Sequence, residues 1–184
     1  MIIHRTARRK VPSRHEKYLG LAFFLSSFSK DPHTQMGSVI VKDNEILGMG
    51  YNGPPACIFD DDTRMNWGRE SEIGSSLVKY DTMIHSEINS IRFHRGNIVG
   101  STLYVTGLPC SECMKTISAY TIGTVIYYYY KSNDKESSFV KNTLMFEKTK
   151  HIAQLANIPL IKFEGSLNWI KDKTKEWNDL GLFK

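Results

Sequence analysis

Cysteine is scarce in this chain, and long apolar runs are missing. The 184 residues include three cysteines, which are too few for the disulfide framework of a secreted domain. The longest apolar stretch, Tyr18 to Phe28, is interrupted by glycine and serine and is too short to cross a bilayer. It follows basic residues, but no small-residue cleavage site of a signal peptide is evident. These absences argue against a disulfide scaffold and a membrane protein, and they favour a reducing cytoplasm.

Positive charge is unevenly distributed along the chain. The formal net charge is +5, which favours anionic partners such as nucleotides or nucleic acid, but the excess lies between His4 and Lys17. The remainder is close to neutral, which argues against a continuous nucleic-acid surface. We expect residues 1–12 to form a solvated, poorly ordered basic arm. The chain as a whole, residues 1–184, is expected to form a single domain with a well-buried core.

The hydrophobic periodicity predicts alternating helices and strands. Ser13 and Glu16 form a capping box that opens a helix, which is expected to stop at Asp31-Pro32. Other predicted helices cover residues 83–94, 110–120, 138–156 and 167–180, and predicted strands cover 38–41, 45–49, 102–106, 124–130 and 158–163. Residues 56–82 show no period and form an insert, which is usually functional or disordered. The alternation, which continues through the C-terminal segment 132–184, predicts an α/β fold with a mixed sheet between helical layers.

Four residues with separate chemical roles occur together in His85-x-Glu87 and Pro109-Cys110-x-x-Cys113. One imidazole and two thiolates suit Zn²⁺, and three protein ligands leave the fourth position for water. Cysteines at i and i+3 project from one side of a helix, and helix N-termini favour the thiolate. Zinc lowers the pKa of bound water towards about 7, while Glu87 is free to move protons. This pattern is the general signature of zinc nucleobase deaminases.

Two other interpretations of these residues are weaker. A structural zinc site normally has four protein ligands, and neither Cys57 nor His94 has ligand spacing to the cysteine pair. A redox Cys-x-x-Cys explains neither His85 nor Glu87. Cys57 is therefore expected to be a free and partly buried thiol.

The chain resembles the cytidine deaminase superfamily, and within it the deoxycytidylate (dCMP) deaminases, which include phage and viral members. The resemblance rests on segments 29–32, 35–41, 50–55, 85–91, 103–106 and 109–113, in that order. It implies a three-layer α-β-α sandwich with a mixed five-stranded sheet and one catalytic Zn²⁺. It also implies hydrolysis of a cyclic amidine C–N bond, from dCMP to dUMP and ammonia, which supplies dUMP for thymidylate synthesis. Ser86 and Met114 stand where the family commonly has alanine.

The same resemblance implies roles in substrate binding. Asn52 would hydrogen-bond the deoxyribose, although a turn residue in the left-handed conformation is an alternative. The backbone around Ser86 and Leu108 would read the edge of the cytosine. A 5′-phosphate needs cations or N–H donors, for which the candidates are Lys30, Lys131 and Ser132, and Tyr130 is expected near the ligand.

Regulation and assembly are implied as well. Members of the family are commonly hexamers that respond to dCTP as activator and dTTP as inhibitor. The expected effector pocket lies at positions 50–55 and in the insert, with Gly50, Tyr51, Asn52 and Gly53 as its candidate residues. An effector acts only by binding one state better than another. In this interpretation the protein is cytoplasmic, or lies in the host cytoplasm if it is viral.

Two different functions compete with this interpretation. The same zinc core serves deaminases of nucleic-acid bases, such as tRNA adenosine or single-stranded DNA cytosine, although the near-neutral body argues against them. A catalytically inactive zinc-binding module is the other alternative, but it would have no use for Glu87. The choice between dCMP and dCTP as substrate is left open.

Overall fold

A five-stranded mixed sheet forms the centre of the structure. The structure is a computed structural model that describes residues 11–58, 67–68, 79–128 and 143–179. The strands are β1 (Gly37–Lys42), β2 (Glu45–Tyr51), β3 (Thr102–Val105), β4 (Thr124–Tyr127) and β5 (Leu160–Lys162). The helices are α1 (Arg14–Ser26), α2 (Ser86–Arg92), α3 (Ser111–Ala119), α4 (Thr143–Leu155) and α5 (Asn168–Asp179). Their order confirms the predicted α/β class, and residues 1–10 of the basic arm lie outside the described residues.

The sheet has the order β2-β1-β3-β4-β5. β1 pairs antiparallel with both β2 and β3, whereas β3, β4 and β5 run parallel. The β1–β2 hairpin turns through Asp43 and Asn44, which both have positive φ, at 51° and 67°. That backbone geometry matches the right-handed twist of the flanking strands. The parallel half needs crossover connections, and helices supply them.

The two faces of the sheet are buried against different helices. Along β1, Ile40 joins the core on the face covered by α2, α3 and α4, while Val39 and Val41 join the core on the other face. α1 covers that second face together with the start of α5, where Gly20 of α1 allows the Trp169 ring to approach closely. Successive side chains of a strand point to opposite faces of the sheet, so neighbouring residues of β1 enter different cores. The three-layer α-β-α arrangement agrees with the prediction.

The first helix begins as predicted and ends earlier. Ser13 Oγ accepts from the backbone N–H of Glu16 (3.3 Å), and the Glu16 carboxylate accepts from Ser13 N–H (2.7 Å), which completes the capping box. The helix ends at Ser26 rather than at Asp31. The hydroxyls of Ser26 and Ser27 donate to carbonyls three residues back, each at 2.7 Å, and such bonds compete with helical continuation.

The helix predicted for residues 83–94 is shorter in the structure. It begins after His85 and ends at Arg92. Ile84 is extended instead and forms an isolated bridge with Gly53, through N–H···O bonds of 2.8 and 3.1 Å. The bridge joins the turn after β2 to the segment that leads into the site. Among the described helices, none is long and apolar enough to cross a membrane.

Glycines bring α2 against the sheet. A β-carbon on Gly48 would overlap the backbone carbonyl of Ser90, and one on Gly50 would overlap the backbone nitrogen of the same residue. Both glycines lie in β2, and α2 therefore rests directly on the strand backbone. This contact sets the position of the residues at the start of α2.

Candidate active site

Three potential metal ligands meet at the starts of two helices. His85 is the N-cap of α2, Cys110 is the N-cap of α3, and Cys113 lies in the first turn of α3. His85 Nδ1 lies 3.2 Å from Cys113 Sγ and 3.5 Å from Cys110 Sγ, and the three ligand atoms all lie within 4.8 Å of one another. Tetrahedral zinc with ordinary bond lengths separates nitrogen and sulfur ligands by about 3.5 Å. The donor set and its spacing therefore fit a zinc ion.

The helix starts favour negative charge on sulfur. Cys110 Sγ accepts from the backbone N–H of Cys113 at 3.4 Å, as an N-cap side chain does. The pKa of Cys110 is lowered to about 4, first by its hydrogen bond with the Cys113 side chain and further by one with His85, although burial opposes the shift. The pKa of Cys113 is raised, first by the same contact with Cys110 and then by burial. One of the two sulfurs is thus ready to bind a cation as a thiolate.

His85 carries the complementary charge. Its pKa is raised to about 9, chiefly by the hydrogen bond with Cys110, while burial opposes the rise. An imidazolium beside a thiolate neutralises the pocket when no cation is bound. A metal ion must displace the imidazole proton in order to bind Nδ1.

Glu87 is a buried carboxyl group beside the two sulfurs. The residue is 4% exposed, and its Oε2 accepts from Ser86 Oγ at 2.8 Å. Burial raises its pKa above the ordinary value for a glutamate. A hydrogen bond with Glu87 is also one of the lesser causes of the raised pKa of Cys113, so the carboxyl group faces the cysteine pair. A desolvated carboxyl group with a raised pKa suits a role in proton transfer.

A buried ion pair, which the sequence analysis did not find, lies beside the site. Lys79 Nζ lies 2.7 Å from each carboxylate oxygen of Asp31, and both residues are almost fully buried. Asp31 belongs to one of the segments that carry the family resemblance, which is a usable signal. Lys79 lies near the end of the insert at residues 56–82, and no sequence pattern around it distinguishes it.

Asn52 is held by its neighbours on both ends of its amide. Its Oδ1 accepts from the backbone N–H of Met36 (2.7 Å), and its Nδ2 donates to the carbonyl oxygen of Thr34 (2.9 Å). Nδ2 also lies 3.4 Å from Asp31 Oδ2. Asn52 is not among the residues with positive φ, so the left-handed alternative is wrong. Its contact with a deoxyribose stays a prediction.

The other residues predicted to bind substrate differ in burial, and some lie outside the described part of the chain. Ser86 is fully buried, and Leu108 is half-buried against the core. Lys30 is exposed and lines a groove that also includes Asn52. Cys57 is exposed, so its prediction as partly buried is wrong, because the turn that carries it lies on the surface. Tyr130, Lys131 and Ser132 lie outside the described residues.

This groove, of about 330 Å³, lies beside β2 and α2. All four candidate effector residues line it: Gly50, Tyr51, Asn52 and Gly53. Another part of the lining comes from α2, with Asn89, Arg92 and the C-cap residue Phe93. Glu87, Ser90 and Ile91 of the same helix are buried. One short helix therefore borders both the groove and the predicted catalytic carboxyl group.

A hydroxyl group on α4 supports the cysteine loop. Thr149 is fully buried and donates to the carbonyl oxygen of Pro109 at 3.1 Å. The bond fixes the residue before Cys110. A threonine at an apolar helical position was the available signal, because a buried hydroxyl needs a partner.

Sequence and structure comparisons identify the family. The model of the cytidine and deoxycytidylate deaminase zinc-binding region matches residues 12–129. The chain therefore belongs to the cytidine and deoxycytidylate deaminase family. The deoxycytidylate deaminase of Mus musculus is 36% identical over 125 residues, which cover 67% of this chain and 68% of the mouse protein. That of Mycobacterium phage D29 is 34% identical over 121 residues, or 63% of this chain and 94% of the phage protein.

A solved structure shares the fold. The dCMP deaminase from cyanophage S-TIM5, solved in complex with dCMP and dUMP, matches with a TM-score of 0.60. The two chains are 22% identical, and the match covers 84% of this chain and 100% of the cyanophage chain. The predicted family resemblance, including its phage members, and the predicted fold class are confirmed.

Proposed function

We propose that this protein deaminates dCMP hydrolytically to dUMP and ammonia, with one zinc ion as cofactor. The observation that carries the proposal is a buried carboxyl group, Glu87, beside a His–Cys–Cys triad. A structural metal site has no need of such a group. Several relatives are named deoxycytidylate deaminases, and this supports the choice of nucleotide.

Zinc is the metal that the donor set favours. One neutral imidazole and two thiolates match its preference, and three protein ligands leave an open position. His85, Cys110 and Cys113 would hold the ion. When bound, zinc supplies a water molecule of lowered pKa as the nucleophile.

The residues of the chain direct the protons. Glu87 takes a proton from the attacking water and transfers it to the ring nitrogen of the cytosine. The water oxygen bonds to the ring carbon, and Glu87 carries the remaining proton of that hydroxyl to the exocyclic nitrogen, so that the C–N bond breaks, ammonia leaves and a carbonyl group remains. The hydroxyl of Ser86 holds one carboxylate oxygen at 2.8 Å. The other carboxylate oxygen would act on the substrate, as general acid–base catalysis requires.

Substrate recognition is assigned by position. Asn52 Oδ1 would accept a hydrogen bond from the hydroxyl of the deoxyribose. This oxygen already accepts from Met36 N–H and retains a second lone pair. The backbone at Ser86 and Leu108 would contact the base. The 5′-phosphate would be bound by Lys30, Lys131 and Ser132, with Tyr130 near the ligand.

Regulation by dCTP and dTTP is part of the proposal. The groove lined by residues 50–56 is large enough for a small ligand and borders α2, which supports an effector site there. Assembly into a hexamer is supported by large apolar side chains that lie exposed on or near β2, namely Ile46, Met49 and Phe93. The product dUMP would feed thymidylate synthesis in the cytoplasm.

Ammonia release from dCMP by the zinc-loaded protein, with and without dCTP, tests the function. Deoxycytidine, dCTP and a cytosine-containing oligonucleotide serve as competing substrates. Turnover of dCMP that rises with dCTP is expected. Activity on the oligonucleotide alone, with steep salt dependence, would instead point to a nucleic-acid deaminase. No activity with zinc bound would leave an inactive zinc-binding module.

A further inference from the structure

The carboxylate of Asp31 is the centre of a buried polar network. Both of its oxygens accept hydrogen bonds from the Lys79 ammonium group, each at 2.7 Å. Its Oδ1 also accepts from the backbone N–H groups of His33 (2.8 Å) and Thr34 (3.1 Å). The ion pair Lys162–Glu164, by contrast, lies on the surface. Removing two charges from water is costly unless they are paired and hydrogen-bonded, and this pair satisfies both conditions.

Lys79 ties the network to the segment that carries His85. Its backbone carbonyl accepts from the N–H groups of Thr82 and Met83, both at 3.1 Å. The next residue, Ile84, bridges to Gly53. Three separate stretches therefore converge on one ion pair: the loop at 29–36, the turn at 52–53 and the approach to the metal site at 79–85.

The network determines which way the amide of Asn52 faces. Two acceptors, the Asp31 carboxylate and the Thr34 carbonyl, lie at one end of the amide, and a donor, Met36 N–H, lies at the other. A flipped amide would face acceptors with its oxygen and a donor with its nitrogen, so only one orientation is satisfied. Oδ1 keeps one lone pair for a further donor.

We propose that Lys79 and Asp31 are positioning residues for substrate binding, which orient Asn52 to accept the sugar hydroxyl of dCMP. The proposal rests on the proposed function of the chain as a dCMP deaminase. The pair acts on the affinity for the sugar and leaves the proton transfers of Glu87 unchanged. Buried ion pairs can often be replaced by apolar pairs of the same volume without loss of stability, but an apolar pair could not align an amide.

The sugar hydroxyl itself provides the test. In dCMP the free hydroxyl is at the 3′ position, and 2′,3′-dideoxy-CMP lacks it. We would measure KM and kcat per bound zinc for both nucleotides with the wild type, Lys79→Met and Asn52→Ala, with Lys162→Met as the matched control. In Lys79→Met and Asn52→Ala, KM for dCMP should rise about tenfold, which corresponds to one lost hydrogen bond. KM for the dideoxy nucleotide and kcat per zinc should change little.

The decisive quantity is the preference for dCMP, which is kcat/KM for dCMP divided by kcat/KM for the dideoxy nucleotide. It should fall in Lys79→Met and Asn52→Ala alike, and the double variant should lose no more than Asn52→Ala alone, because both act through one contact. Lys162→Met should keep the wild-type preference. If Lys79→Met lowers zinc content and active fraction but keeps the preference, the pair is merely structural and the inference is overturned.

A second variant covers the case in which Lys79→Met fails to fold. Lys79→Met combined with Asp31→Asn leaves no unpaired buried charge. Loss of the preference in this protein, with zinc retained, supports the inference, and an unchanged preference overturns it. A wild type that does not convert dCMP contradicts the proposed function itself, and the inference falls with it. A wild type that converts dCMP without any preference for the 3′-hydroxyl contradicts the inference alone.

Discussion

Glu87 has a hydroxyl on one side and a cysteine pair on the other, and these neighbours define the chemistry at the scale of single residues. Ser86 holds one carboxylate oxygen, and burial raises the pKa of the group. A raised pKa makes the protonated form of the carboxyl group easier to reach, which is the property that the proposed general acid–base needs.

Replacing Glu87 with glutamine tests this role. Glutamine keeps the size and the hydrogen bond with Ser86 but cannot carry the proton. We expect bound zinc to stay at the wild-type level and turnover of dCMP to fall by about 10²- to 10⁴-fold. Metal analysis and ammonia release on the same sample measure both quantities. Loss of zinc together with activity would show that the carboxyl group holds the metal site instead.

Zinc affinity should depend steeply on pH. With its pKa at about 9, His85 is protonated at neutral pH when no metal is bound, and Cys113 is protonated because its pKa is also raised. Cys110, with its pKa at about 4, is already a thiolate. Binding therefore releases about two protons, and affinity should rise about hundredfold per pH unit between pH 6 and 8. The dependence should weaken above pH 9, where the imidazole is already neutral.

Competition with a chelator at pH 6, 7 and 8, corrected for the titration of the chelator, measures this dependence. Calorimetry in two buffers of different ionisation enthalpy counts the protons directly. An affinity that does not change with pH would contradict the assignment of these three side chains as the ligands.

At the scale of elements, the contact between β2 and α2 sets the position of Glu87. Gly50→Ala would place a methyl group against the backbone of Ser90. We expect a loss of about 1–3 kcal/mol in the free energy of unfolding, as for other overpacked contacts. Gly53→Ala is the matched control, because a β-carbon there meets no atom within 4 Å. Urea unfolding of both proteins measures the difference. Equal stabilities would show that α2 can shift away from β2 without loss of stability.

The support that α4 gives to the cysteine loop is a second prediction at this scale. Thr149→Val keeps the shape but leaves the Pro109 carbonyl without its donor, which should cost about 1–3 kcal/mol in the free energy of unfolding. Thr174→Val is the control, since its hydroxyl also donates to a carbonyl, at 2.9 Å, but on an exposed helix. The control should change stability by less than about 0.5 kcal/mol. Similar losses in both would mean that burial of the hydroxyl has no effect.

Element prediction from the sequence succeeded where local signals are strong. The capping box at Ser13 appears as expected, and the turn at Asp43 falls between the two strands predicted at 38–41 and 45–49, because the causes of both lie within a few residues. Helix ends were less accurate: the early end of α1 depends on serine side chains, and the late start of α2 depends on a bridge to Gly53. Such contacts compete with helix propensity and have no periodic signature.

At the scale of the whole molecule, the candidate metal site joins helices from two parts of the fold. Zinc that binds the folded state and not the unfolded chain adds to stability by mass action. Removal of zinc with a chelator should therefore lower the unfolding temperature, and added zinc should restore it in a concentration-dependent way. Calorimetric scans at several free-zinc concentrations measure this shift. A constant unfolding temperature would mean that the site does not hold zinc tightly.

Only the part of the site that lies in short sequence motifs could be predicted from the sequence. His85, Glu87, Cys110 and Cys113 stand in short motifs whose chemistry is readable in the sequence. Asp31 and Lys79 are far apart in the chain, and only the folded structure brings their charges together. Long-range polar pairs of this kind leave no spacing pattern that a single sequence can show.

The two faces of α2 differ in how freely their residues can diverge. On the side towards β2, the backbone of α2 leaves no room for a side chain at Gly48 or Gly50, so this contact tolerates almost no variation. On the side towards the groove, Arg92 and Phe93 are exposed and can be exchanged without disturbing that contact. Proteins built on this plan can therefore change what the groove accepts while they keep the same chemistry.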